Sequence, residues 1–204
     1  LDVDNNSTIT ALSVGHITPV SIAAGKSLSG GVTVTAGSLK LNETGTLAST
    51  IAMSGGTLDA DETSTVSGAL TQTADITIDV ANNKTLTYSG AAVNLGAKTL
   101  TLSGGGTLSN TTALVLNNAN SKLLLDSITV DNVSTTVNSL GLAVNESSTI
   151  SSLKVAANTE LNVAQGKNLS GATEVAAAKT LKLSGTGTFG SALNLLGTLE
   201  AGAN

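Results

Sequence analysis

The stretch KTLTLSGGGTLSN at residues 98–110 has two counterparts in the chain, GSLKLNETGTLAS at 37–49 and KTLKLSGTGTFGS at 179–191. From Leu39 to Leu100, and from Leu100 to Leu181, the intervals are three and then four units of roughly 20 residues, a period that signals a solenoid. A second phrase tests that unit. VSIAAGKSLSG (20–30) returns as IDVANNKTLTYSG (78–90) and as LNVAQGKNLSG (161–171). Val20 to Ile78 and Ile78 to Leu161 again span about three and about four such units. A longer match, LDVDNNSTI (1–9) against LAVNESSTI (142–150), runs at an offset of 141. Together the periods fit groups of three coils, with one further coil inserted near 128–145.

Within each unit the pattern is that of short strands. Ile76-Thr77-Ile78-Asp79-Val80, Leu100-Thr101-Leu102, Leu161-Asn162-Val163 and Leu181-Lys182-Leu183 alternate apolar with polar residues, which turns one face inward and one to solvent. Gly30-Gly31, Gly55-Gly56, Asn82-Asn83, Gly104-Gly105-Gly106 and Asn117-Asn118 stand between them, residue types that turn a corner cheaply. One coil cannot bury its apolar face alone, whereas stacked coils share a continuous core. The fold expected is therefore all-β, a single-stranded parallel β-helix (β-solenoid). It has roughly ten coils of about 20 residues and a length on the order of 50 Å. Residues 1–204 read as one continuous solenoid, with Leu100 and Leu181 inward and Thr101 outward. The chain starts at Leu1 and reads as an excised segment of a longer repetitive protein.

Composition agrees and excludes several roles. Apolar residues make up 40%, yet there is one Phe, one Tyr and no Trp, so the interior must be narrow enough for aliphatic side chains to fill. Only 11% is charged, below the quarter or so of an ordinary soluble domain. All nine basic residues are Lys and the net charge is −5, which leaves no basic stripe for nucleic acid. Without Cys there are no disulfides, thiolate metal sites or Cys nucleophiles. No apolar run approaches the ~18 residues of a membrane span, so this segment is not expected to insert into a membrane.

The thirteen-residue phrases, and VTVTAGSLKLNETGTL at 32–47, resemble the Gly-Thr-Leu-rich repeats of bacterial autotransporter passenger domains and related large surface adhesins. The resemblance covers most of the chain as a texture. It implies a right-handed parallel β-helix outside a bacterial cell, without catalytic residues common to the family. The leading expectation is thus a structural or adhesive segment, a stalk, fibre or surface-layer element. Its partners would be flanking coils or copies of itself, with host or surface glycans as further ligands.

Two other classes stand beside it. A carbohydrate-binding or polysaccharide-degrading β-helix needs clustered carboxylates, and Asp59, Asp61, Glu62, Asp75 and Asp79 are the candidates. Read as structure, they solvate turns. An ice-binding solenoid needs a flat Thr ladder. The pairs Thr8/Thr10, Thr85/Thr87 and Thr99/Thr101 supply outward threonines. Thr85 and Thr99, however, are closer together than one coil, and Lys182 takes the place matched to Thr101, so the ladder reads as broken. Asp2 and Asp4, with Asn5, have the oxygen spacing of a calcium loop without its glycine and distal Glu. No metal, cofactor or catalytic residue is assigned. His16, the only histidine, reads as a turn or surface residue near Pro19, which belongs at a bend or sheet edge. Lys26, Lys84, Lys98, Lys167 and Lys179 begin strands, where they solvate a coil edge or form a track for an anionic polymer. Asn5, Asn42, Asn110, Asn132, Asn145 and Asn168 open glycosylation triplets that so Asn-, Ser- and Thr-rich a chain supplies by chance.

Overall fold

The computed structural model describes residues 1–110, 112–116, 118–132, 135–137 and 141–202. Asn117 and part of the 128–145 stretch lie outside the described residues, as does the side chain of Asn132. The strands form two sheets, one of 11 strands and one of 16, and every pairing among the described residues is parallel. The 11-stranded sheet takes one strand from each coil and makes the first side of a three-sided rod. The 16-stranded sheet makes the other two sides. Some coils cross both sides with one long strand, such as Ser27–Val34 or Asn168–Val175. Others use two short strands, such as Thr85–Tyr88 and then Val93–Asn94. No helix among the described residues is long and apolar enough to cross a membrane.

Alternation within strands builds the core. Leu39, Leu58, Ile78, Leu102, Leu125, Val144 and Val163 lie over one another on the first side, one from each coil. The coils on either side of Leu102 are the longest of this series. All seven residues are buried, as are Leu100 and Leu181, both fully covered, while Thr101 faces outward. The coil count expected from the phrases holds. Three coils separate the first pair of thirteen-residue phrases and four the second, but the stacking register is displaced by two positions. Leu102, not Leu100, stands in the column of Leu39, and Leu183, not Leu181, in that of Leu100. A shift of two preserves which side chains point inward.

Two features shape the coil. At the bend between the second and third sides, Gly30 and Gly171 (φ 118° and 119°) pass so near Ile9 and Ile150 that an added Cβ would overlap their carbonyl oxygens. These two bends are one structure, met again at the offset of the long sequence match. Where the first side gives way to the second, the carbonyls of Ala23, Ala81 and Ala164 accept hydrogen bonds from the N–H groups of Lys26, Lys84 and Lys167, and where the third side returns to the first, Ala176 accepts likewise from Lys179. Lys26, Lys84 and Lys167 then lead into the second side and Lys179 into the first, with Lys98 leading into Thr99–Ser103. Pro19 sits inside the strand Thr18–Ile22 rather than at a bend. Its neighbour Asp2–Val3 pairs only with Ser21 and Ile22, so the missing N–H falls where the sheet is still open.

Candidate functional surfaces

The acidic candidates are drawn into separate local pairings. Lys40 Nζ lies 2.7 Å from Asp61 and 3.3 Å from Asp59. The hydrogen bond to Asp61 holds the Lys40 ammonium above its ordinary range, against desolvation. Burial first, and then the Asp61 charge, push the Asp59 carboxyl up, against the pull of Lys40. Glu62 pairs with Lys84 at 2.5 Å. Asp75 Oδ1 accepts the Thr99 N–H at 2.8 Å, and Asp79 Oδ1 accepts the Ser103 hydroxyl at 2.5 Å. Asp79, Ser103 and Asp126 occupy one column on consecutive coils and open on a shallow notch shared with Asn82 and Gly105. These arrangements hold coil to coil. The ion pairs Lys40–Asp59, Lys154–Glu174 and Lys182–Glu160 are likewise rungs between residues in register. The two exposed pairs among them, Lys154–Glu174 and Lys182–Glu160, contribute about 0–1 kcal/mol each.

The remaining candidates are scattered. Asp2 lies on the first strand and Asp4 in the exposed turn after it, where the Ser7 hydroxyl donates to the Asn5 carbonyl. No group of three His, Cys, Asp or Glu side chains able to hold a metal occurs among the described residues. His16 is an exposed turn residue whose backbone packs against Gly37. Lys167 pairs with Glu146 across one coil. Of the Asn triplets, Asn5 and Asn145 are exposed and Asn42 and Asn168 half-buried. Asn110 is buried, and its side-chain oxygen accepts from the N–H and hydroxyl of Thr112, so a glycan has no access to it.

The threonines depart most from the sequence reading. Thr85 and Thr99 belong to different sides of the rod, so the interval between them says nothing about a ladder. Lys182 is in register with Glu160, in the column of Thr99 and Lys122, and not in that of Thr101. On the second side, Thr85, Thr107, Thr129, Thr149 and Ser170 follow one another on consecutive coils. Beside them run Ser27, Thr46, Thr65, Thr87, Ser109 and Asp131. The first side carries a shorter column, Ser38, Thr57, Thr77 and Thr101, which Leu124 ends. The ladder is thus continuous from coil to coil on the second side, contrary to the expectation, and interrupted on the first, in line with it. The signal was present in the strings TLT (85–87), TLS (107–109), TVD (129–131) and TIS (149–151), whose uneven spacing hides the repeat from a fixed period. Compared with family models, curated proteins and solved structures, the chain matches none.

Proposed function

We propose that the chain is a rigid structural or adhesive segment of a secreted bacterial surface protein, of the kind found in autotransporter passengers and large adhesins. It acts without catalysis, as a stalk or fibre element that holds a binding module clear of the cell. The observation that carries this reading is the unbroken axial core. The inward column from Leu39 to Val163 passes coil to coil without a gap, so the chain resists bending and keeps its ends apart. Its partner chemistry is coil on coil. Leu195 and Leu199 are 46% and 38% exposed, whereas their register partners Val175 and Leu181 are fully covered; a flanking coil or a second copy would cover them too. The test is a spacer assay, with one or two tandem copies placed between a membrane anchor and a fluorescent module. Each copy is expected to add about 50 Å of reach. Tandem copies that leave the module at unchanged height would refute the stalk.

A further inference from the structure

The two hydroxyl columns of the second side form a lattice. Strand spacing sets one repeat at about 4.8 Å along the rod, and alternate residues of a strand set the other at about 6.7 Å across it. Pairing from Ser64–Val66 through Thr85–Tyr88 and Thr107–Asn110 to Thr129–Asn132 runs without a register shift. The columns stay aligned although the coils that carry them differ in length, so the array is not the by-product of one copied unit. Side-chain hydrogen bonds fall at its two ends, Ser27 with Asn6 at 3.4 Å at one, and Thr149 with Ser170 at 2.7 Å and Ser151 with Asp131 at 3.2 Å at the other. Between them the hydroxyls of Thr46, Thr65, Thr85, Thr87, Thr107 and Thr129 meet no protein partner among the described residues. Each of these threonines is half-buried, and β-branching restricts χ1, so hydroxyl and methyl have few positions to choose between before any ligand arrives. Asp131 is the one charge in the two columns, whereas the first side bears Lys40, Asp59, Asp79 and Asp126 on one outward column and the third side Lys154 and Glu174.

A rigid array of unpartnered hydroxyls and methyls, uncharged over most of its area and periodic in two directions, suits a ligand that is itself periodic in two directions. Oxygen atoms at the surface of hexagonal ice repeat at spacings of this order, and ordered water both donates to and accepts from a hydroxyl. A crystalline polysaccharide offers hydroxyls too, but it is gripped by exposed aromatic rings, and here Tyr88 is buried and Phe189 only partly exposed. From this geometry we infer that the second side, centred on Thr85, Thr87, Thr107 and Thr129, binds ice.

The test grows a polycrystalline ice hemisphere slowly from a dilute solution of the fluorescently labelled chain. The chain is expected to enter the ice. The double variant Thr85→Lys with Thr107→Lys should enter about tenfold less, while Thr77→Lys with Thr101→Lys, a matched change on the first side, should enter like the parent. Circular dichroism melts of all three chains establish that each is folded. Exclusion of the folded parent chain from ice would overturn the inference. So would equal uptake of the two double variants, or retention on crystalline chitin or cellulose in place of ice.

Discussion

Two stretches of the same rod solve the packing problem differently. From Leu39 through Leu58 to Ile78 the coils keep to the unit of about 20 residues. Their interiors are filled almost wholly by aliphatic columns such as Val34 on Met53 and Leu28 on Leu47. From Ile78 through Leu102 to Leu125 the coils lengthen, and polar groups enter the interior. Tyr88 accepts the Leu70 N–H at 3.1 Å and donates to the Ala91 carbonyl at 2.7 Å. Half-buried Gln72, from the last narrow coil, reaches across to donate its amide to the Thr99 carbonyl at 2.9 Å, and buried Ser121 donates to the Gly96 carbonyl. A cavity of about 20 Å³ remains between Leu70, Tyr88, Val93 and Leu114. A narrow coil is closed mainly by its own apolar residues, its buried polar side chains being small serines such as Ser49 and Ser64, which donate to the Leu28 and Glu43 carbonyls. A wide one needs side chains that satisfy backbone groups left behind when the third side shortens to strands such as Val93–Asn94.

The comparison can be broken most forcefully by charge. Leu58→Asp in the narrow stretch and Leu100→Asp in the wide one should both unfold or aggregate the chain, because an unpaired buried carboxylate costs several kcal/mol in either setting. Thr101→Asp, outward and beside Leu100, should change stability by under about 1 kcal/mol. Denaturant melts of the three variants check this, and equal losses would mean that the inward columns are wrongly assigned. Tyr88→Phe comes next. It keeps the ring and leaves a buried N–H and carbonyl without their hydroxyl partner, an expected loss of about 1–3 kcal/mol by the same melts.

Adding a methylene should separate the two stretches more finely. Val34→Ile in the filled narrow core is expected to destabilise by about 1–3 kcal/mol through overpacking. Val93→Ile faces the cavity and should be neutral or stabilising by up to about 0.8 kcal/mol. Similar losses at both sites would show that the wide coils hold no spare volume. The smallest expected effect is at Asp59. Its carboxyl is raised in the fold, so it binds its proton more tightly there than in the unfolded chain. The stability it contributes is complete below the ordinary carboxylate range and is lost as pH rises through the raised value. Asp59→Asn should therefore melt about 1–2 °C higher than the parent at neutral pH, with the gap closing on acidification to below the carboxylate range. A gap that widens on acidification would contradict the burial argument.

The same contrast explains how much is legible in advance. Alternation fixes which side chains point inward, so spacing alone places Leu100, Leu181 and Thr101 correctly. The number of coils between the repeated phrases is legible as well. Register is not, because a string such as KTLTL matches KTLKL equally well after a slip of two, and the extra residues of the wide coils sit in corners that carry no distinguishing pattern. The hydroxyl array is concealed when the ladder is judged on the first side, where the column of Thr101 does end at Leu124, and not on the second, where it continues. With Lys182 set against Thr101 the ladder looks interrupted, whereas the structure puts Ser184 in the Thr101 column and Lys182 among Thr99, Lys122 and Glu160. Lys40 and Asp61 come together for a related reason. They are one coil apart in space, joined by a 2.7 Å hydrogen bond, and nothing in their own sequence neighbourhoods marks them as a pair.

The claim beneath all of this is that equivalent residues rise along one axis by an equal step per coil. Spin labels read it directly, with one label fixed at Ser38 and the second moved through Leu124, Ala143, Asn162 and Ser184, the later members of its outward column. Electron paramagnetic resonance should return separations climbing by about 4.8 Å at each move, from about 19 Å to about 34 Å. A series that stays level, or jumps irregularly from label to label, would mean the coils are not stacked in this register.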